Sequence, residues 1–296
     1  MRWISALVAG LWLGGFSAQA EPVRQDVFGL ARAAGAIGIV KPKLYALIVG
    51  VADYVDPELK LGLAAKDAAD FAAALDNQAG GLYAEVTVHL LTDRAATALA
   101  IRRGLDWLRQ STTARDVAIL YFAGHGEVEA GSNGFYLLPA EADAKKLSAT
   151  ALPRQDVNLA LDKVAGKVII FLDACRSGAI AGGTQTRGLC AFNVNDMVKD
   201  LANADNGIVL FAASTGQQLS LENPAWGNGA FTAALVAGLG RKGVKAEANL
   251  LANGAITLSE LDAFVAERVK KLTDGAQSPV LINQKGQENY PLALAR

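Results

Sequence analysis

The sequence predicts a three-layer α/β/α sandwich with a mostly parallel central sheet. Three observations carry that expectation. Short runs such as Val117–Phe122 and Val168–Leu172 are apolar at every position, the pattern of strands buried on both faces. Segments with helical spacing separate these runs from one end of the chain to the other, as crossover connections require. With 52% hydrophobic and 19% charged residues in 296, there is enough apolar material for one large core.

The elements follow in order. Residues 21–43 lack clean periodicity and read as an N-terminal leader, with the folded domain spanning 44–296. Leu44–Val51 is the first strand. Leu61–Leu75 places Ala, Leu and Phe at helical spacing, with Lys66, Asp67 and Asp70 interleaved. Val86–Leu91 is a second strand, and Thr97–Gln110 a helix that Thr97 caps. Val117–Phe122 comes third. Residues 126–154 are looser, with a hairpin ending in Phe135–Leu138. Gln155–Leu161 is a short helix before the Val168–Leu172 strand. Ser177–Gly188, rich in Gly and Thr, is a loop. Ile208–Ala212 is a strand, Ala230–Leu239 a helix opened by a Gly-Asn-Gly turn, Ser259–Lys271 the last helix and Val280–Ile282 an edge strand.

The first 20 residues read as a signal peptide. Arg2 supplies the positive start, Trp3 to Phe16 the apolar stretch and Ser17-Ala18-Gln19-Ala20 the small-x-small ending, so cleavage is expected after Ala20. The expectation is an exported bacterial protein, periplasmic or secreted, without a membrane anchor after cleavage. A formal net charge of -1 gives no reason to expect nucleic acid as a partner. Two cysteines, Cys175 and Cys190, are too few for a disulfide framework. Export permits a bridge between them, which would block Cys175; Cys190 reads equally as a small buried residue or a loop thiol.

Two of the buried strands lead into reactive residues. Val117–Phe122 runs into Ala123-Gly124-His125-Gly126, and Val168–Leu172 into Asp173-Ala174-Cys175. Residues at the carboxyl ends of parallel strands face the ligand crevice of an open α/β sheet. If the strands are neighbours, a thiol and an imidazole share that crevice. A thiol attacks a carbonyl as thiolate, and an adjacent imidazole takes its proton and later returns one to the leaving amine. Gly124 and Gly126 would let a substrate backbone approach His125. The amides of Gly126 and Cys175 would face a developing oxyanion, worth about 3 kcal/mol per donor.

The succession of apolar strand, His-Gly, apolar strand and Ala-Cys resembles the caspase-type cysteine peptidase clan, which includes caspases, metacaspases, legumains and gingipains. The His–Cys spacing matches that of caspases. The resemblance covers roughly Leu44 to Leu239, with Phe211-Ala212-Ala213-Ser214-Thr215-Gly216 and Gly229-Ala230-Phe231-Thr232 similar to the small-subunit region. Within the clan the chain is most similar to bacterial metacaspase-like proteins. Where caspases carry Gln two positions before the Cys, this chain carries Asp173, as metacaspases do; Asp67 matches the second metacaspase aspartate. The resemblance therefore implies a thiol endopeptidase whose Asp67 and Asp173 bind a basic residue, Arg held by paired N–H···O contacts and Lys by charge alone.

The same resemblance implies cleavage after Arg, then Lys, and not after Asp. It implies that Ser214 and Trp226 line the substrate groove, and that processing occurs in the 177–191 linker, where Arg187 suits self-cleavage. Two departures stand out. Ala123 replaces the serine before Gly-His. The calcium site of many metacaspases is not expected, because Asp143 and Asp156 fall near matching places while Gln155 and Gly182 replace other ligands. No zinc constellation or phosphate loop is present, so no cofactor is expected. His89 reads as structural or exposed, and Arg176 as a neighbour able to lower the thiol's pKa. The expected partner is a peptide or protein substrate. Two rivals share the residues: a binding scaffold without turnover, and a ligase that passes the thioester to an amine.

Overall fold

The computed structural model describes residues 40–129, 131–132, 134–176, 208–214, 220–282 and 289–296. Its first strand, β1 (Leu44–Gly50), leads through a one-turn helix at Pro57–Leu59 into α1 (Ala64–Asp76). Then come β2 (Val86–Thr92), α2 (Ala98–Ser111), β3 (Val117–Val128) and β4 (Phe135–Leu137). A short α3 (Leu147–Thr150), β5 (Leu152–Pro153), α4 (Arg154–Asp162) and β6 (Lys167–Arg176) follow. The remaining elements are β7 (Val209–Ala212), β8 (Glu222–Asn223), β9 (Asn228–Gly229), α5 (Ala230–Leu239), β10 (Ala255–Thr257), α6 (Leu258–Leu272), β11 (Val280–Ile282) and β12 (Pro291–Leu294).

The main sheet has eight strands: the path β11-β7-β6-β3-β1-β2 is parallel except for β11, and β4 and β5 add antiparallel pairings beside β3. Alternate strand residues feed two cores. Ile48, Ile119, Tyr121, Ile169, Phe171 and Phe211 face α1, α5 and α6. Leu47, Val49, Leu120, Phe122, Ile170 and Leu210 face α2 and α4. This two-sided burial explains the uninterrupted apolar runs and bears out the expected sandwich. Phe71 of α1 stacks on Tyr121, 4.7 Å between centroids, and lies 5.0 Å from Phe171, which seats the helix over the sheet's centre.

Element boundaries differ in instructive ways. Thr97 caps α2 as expected, accepting from Ala100 N–H at 3.1 Å. The last helix starts one residue early behind a capping box of Thr257 and Glu260. The first helix starts at Ala64 rather than Leu61, and Leu61 N–H donates to the Ala52 carbonyl. The expected hairpin appears as β4 antiparallel to the end of β3. Two small sheets, β8–β9 and β10–β12, lie outside the sequence reading. No described helix is long and apolar enough to cross a membrane.

Candidate active site

Sequence reading placed His125 and Cys175 just past their strands. They are instead inside them. β3 continues to Val128 because β4 supplies a partner for its second half, and β6 continues to Arg176 alongside it. In that shared extension Ala123 stands in register with Asp173 and His125 with Cys175. Neighbouring strands lie about 4.8 Å apart, so the backbones carrying imidazole and thiol are adjacent.

His125 is held on two sides and is only 8% exposed. Its Nε2 lies 2.8 Å from the Leu59 carbonyl. A carbonyl only accepts, so that contact assigns the proton to Nε2 and leaves the Nδ1 lone pair free. Its backbone N–H donates to the Tyr54 hydroxyl at 2.8 Å, and that hydroxyl donates onward to the Leu138 carbonyl. Burial lowers the imidazole's pKa, and the Leu59 carbonyl and the Glu222 charge only partly restore it. The ring is therefore neutral at neutral pH, as a general base must be.

The flanking glycines also have a packing role. A Cβ at Gly124, where φ is +156°, would sit 2.8 Å from the Tyr54 hydroxyl; one at Gly126 would sit 2.6 Å from the Phe135 ring. They admit the protein's own packing around His125. Gly126 is also in register with Leu137 on one side and Arg176 on the other. Its N–H thus points at a neighbouring strand.

The two aspartates converge. Asp67 is 4% exposed and Asp173 8%. A Cβ on Gly229 would lie 3.1 Å from one carboxylate and 3.5 Å from the other. Asp67 accepts from Asn228 Nδ2 at 2.8 Å and from Gly229 N–H at 3.1 Å. Asp173 accepts from Ser220 at 2.5 Å and Thr232 at 2.9 Å. Burial, then repulsion from Asp173, pushes Asp67 up to about 7. Burial likewise raises Asp173 against the pull of its two hydroxyl donors. Among the described residues no ion pair joins either carboxylate to a Lys or Arg.

Sequence reasoning missed the segment that organises this site. Ser220 and Leu221 lie just before β8, Glu222 pairs with Gly229, and Asn228 donates to both Asp67 and Asp70. The Gly-Asn-Gly turn was the only local signal, and it was read as the start of a helix. Trp226 lines a cavity of about 430 Å³ among α1, α5 and α6 that Asn228 also lines and Asp67 does not. Ser214 is buried at the end of β7. His89 is exposed and stacks on Trp107 at 3.7 Å. The expected signal peptide 1–20, most of the expected leader, the 177–191 linker, Arg187, Cys190 and Gly182 lie outside the described residues.

The two carboxylates expected nearest a calcium site are engaged in ion pairs. Asp143 pairs with Lys146 and caps the Lys145 N–H, while Asp156 pairs with Arg102. Among the described residues no three His, Cys, Asp or Glu side chains converge on a metal-sized point.

Comparison with known proteins agrees with this geometry. A model of the caspase domain matches residues 43–290. No curated protein matches the chain. Among solved structures, protein GSU0716 from Geobacter sulfurreducens is 21% identical, covers 82% of this chain and 93% of its own, and superposes with a TM-score of 0.56. The Drosophila initiator caspase Dronc is 11% identical, with coverages of 85% and 82% and a TM-score of 0.51. At those identities the two structures show the fold. With most of its length matched, the chain belongs to the caspase-domain family of cysteine peptidases.

Proposed function

We propose that this protein is a cysteine endopeptidase that hydrolyses peptide bonds after basic residues, Arg ahead of Lys. The observation that carries the reading is the register of β3 on β6, which sets His125 beside Cys175 and Ala123 beside Asp173. The Cys175 thiol gives its proton to Nδ1 of His125, and the thiolate attacks the scissile carbonyl. The amides of Cys175 and Gly126 are assigned to the oxyanion; for Gly126 this requires the β3–β6 pairing to open at its last rung, Gly126–Arg176. The imidazolium protonates the departing amine, leaving a thioester. Water then attacks, His125 takes its proton, and the acid leaves with the thiol restored. Asp67 and Asp173 supply a buried acidic pocket with no ion-paired cation among the described residues, suited to a guanidinium or ammonium.

Peptides bearing a reporter after Arg, Lys, Asp or Asn, given to the wild type and to Cys175→Ala, test this. Turnover after Arg and Lys alone, lost in Cys175→Ala by at least about 10³-fold, is the expected outcome. Silence on every peptide would favour a binding scaffold; joined products would favour a ligase. The same proposal includes export with cleavage after Ala20, and self-cleavage at Arg187. Intact mass of active protein from the periplasm reads both: a chain starting at Met1, or one uncut at Arg187 while fully active, removes the corresponding part.

A further inference from the structure

Glu222 is not used by the mechanism above, yet it touches both halves of the site. Its carboxylate accepts from the backbone N–H groups of Gly62 at 2.9 Å and Leu63 at 3.0 Å, across 160 and 159 residues of sequence. These amides open α1, whose N-cap residue Leu63 has no side-chain cap of its own. The carboxylate thus meets the unpaired, partly positive end of the helix that carries Asp67. Gly62 is a glycine for that contact: a Cβ there would lie 2.6 Å from Glu222 Oε1.

The segment that Glu222 grips also contains Leu59, whose carbonyl orients His125. Upstream the segment is tied down by Val55 N–H to the Ala140 carbonyl, and just past Leu59 by Leu61 N–H to the Ala52 carbonyl. Its downstream end is held at Gly62 and Leu63 by Glu222. On the other side Glu222 is in register with Gly229, whose N–H donates to Asp67. The neighbouring Leu221 N–H is fixed by Gln277 at 2.8 Å.

We propose that Glu222 is a positioning residue: it clamps the Pro57–Leu63 segment to the β8–β9 hairpin, so that the orientation of His125 depends on the hairpin that shapes the basic-residue pocket. This rests on the peptidase reading and deepens it. Without the clamp the Leu59 carbonyl wanders, the Nε2 proton loses its fixed acceptor, and Nδ1 spends less time facing Cys175. Misplacement of a base by about 1 Å costs up to about 10²-fold in rate.

The test compares Glu222→Ala and Glu222→Gln in the full chain, with folding checked by circular dichroism. Two readings are taken: alkylation of Cys175 by iodoacetamide, which needs the dyad but not the pocket, and kcat and KM on an Arg peptide. In Glu222→Ala both alkylation and kcat should fall about tenfold or more, with KM changed less than about twofold. Glu222→Gln keeps one acceptor oxygen and should fall between. Raised KM with unchanged alkylation overturns the inference and makes Glu222 a substrate contact; no change in either, in a folded variant, overturns it as well. If the Ala variant does not fold, Glu222→Gln decides alone by whether alkylation slows. Failure of the peptidase reading shows differently, as a wild-type thiol whose alkylation is indifferent to His125→Ala.

Discussion

At the scale of single residues, Asp67 carries the sharpest consequence. Burial and the nearby Asp173 raise its carboxyl from the ordinary range to about 7, so near neutrality it exists in both forms. Only the ionised form attracts a basic side chain. The ratio of kcat/KM for an Arg peptide to that for a matched neutral peptide should therefore fall as pH drops through about 7, and should lose that step in Asp67→Asn. Taking the ratio cancels the titration of Cys175 and His125. The stability sign is the reverse of the usual carboxylate case. A folded pKa above the unfolded one means the native state holds the extra proton between about pH 4 and 7. Stability from this group is full below that window and is lost as pH rises through it, at about 1.4 kcal/mol per tenfold change in proton affinity. Asp67→Asn should accordingly raise Tm at pH 8 and leave it little changed at pH 4. A wild-type advantage at pH 8 would show that Asn228 and Gly229 hold the charge better than burial penalises it. The dyad was legible because each reactive residue sits at the end of an unmistakable apolar run. Asp67 was not distinguishable from Lys66 and Asp70 by spacing; only the family resemblance separated it. Glu222 was invisible, since its partners are backbone amides far away in sequence.

At the scale of elements, α1 is the part on which the pocket depends. It delivers Asp67, and its distance from the sheet is set by Gly50 at the end of β1. A Cβ on Gly50 would lie 2.4 Å from the Ala64 carbonyl and 2.5 Å from the Ala68 Cβ, both parts of a helix rather than a yielding side chain. Gly50→Val should push α1 off β1, cost about 1–3 kcal/mol in chemical denaturation, and reduce turnover of Arg peptides more than that of neutral ones. Equal loss on both would mean that the strain is absorbed away from Asp67. Helices α1, α2, α4, α5 and α6 were readable because each buries a regular stripe or a continuous run, and the six strands of the main path because each is a mostly apolar run. The β8–β9 hairpin was not, because two-residue strands leave no periodicity to read. The extension of β3 was missed for a related reason: Ala-Gly-His-Gly has no strand pattern of its own, and its pairing comes from Phe135–Leu137.

At the scale of the whole molecule, the chain's last residues close the end of the sheet opposite the site. β12 pairs with β10, and three contacts then tie it to the far end of α1 and the turn beyond it. The buried Tyr83 hydroxyl donates to the Leu292 carbonyl at 2.8 Å, Leu294 N–H donates to the buried Gln78 side chain, and Arg296 reaches the Asn77 and Ala79 carbonyls. None of this could be read from Pro291–Leu294, a run too short and too plain to announce a strand. Its location predicts a separation of stability from chemistry. Tyr83→Phe keeps the ring in the α1 core but leaves the Leu292 carbonyl without its donor, a loss of about 1–3 kcal/mol for a buried group. The variant should unfold at lower denaturant while kcat/KM on an Arg peptide stays within about twofold, because α1 carries Asp67 near its other end and His125 hangs from Leu59. A fall in kcat/KM matching the fall in stability would mean instead that the two ends of α1 move as one, and that the C-terminal strand helps to place the pocket.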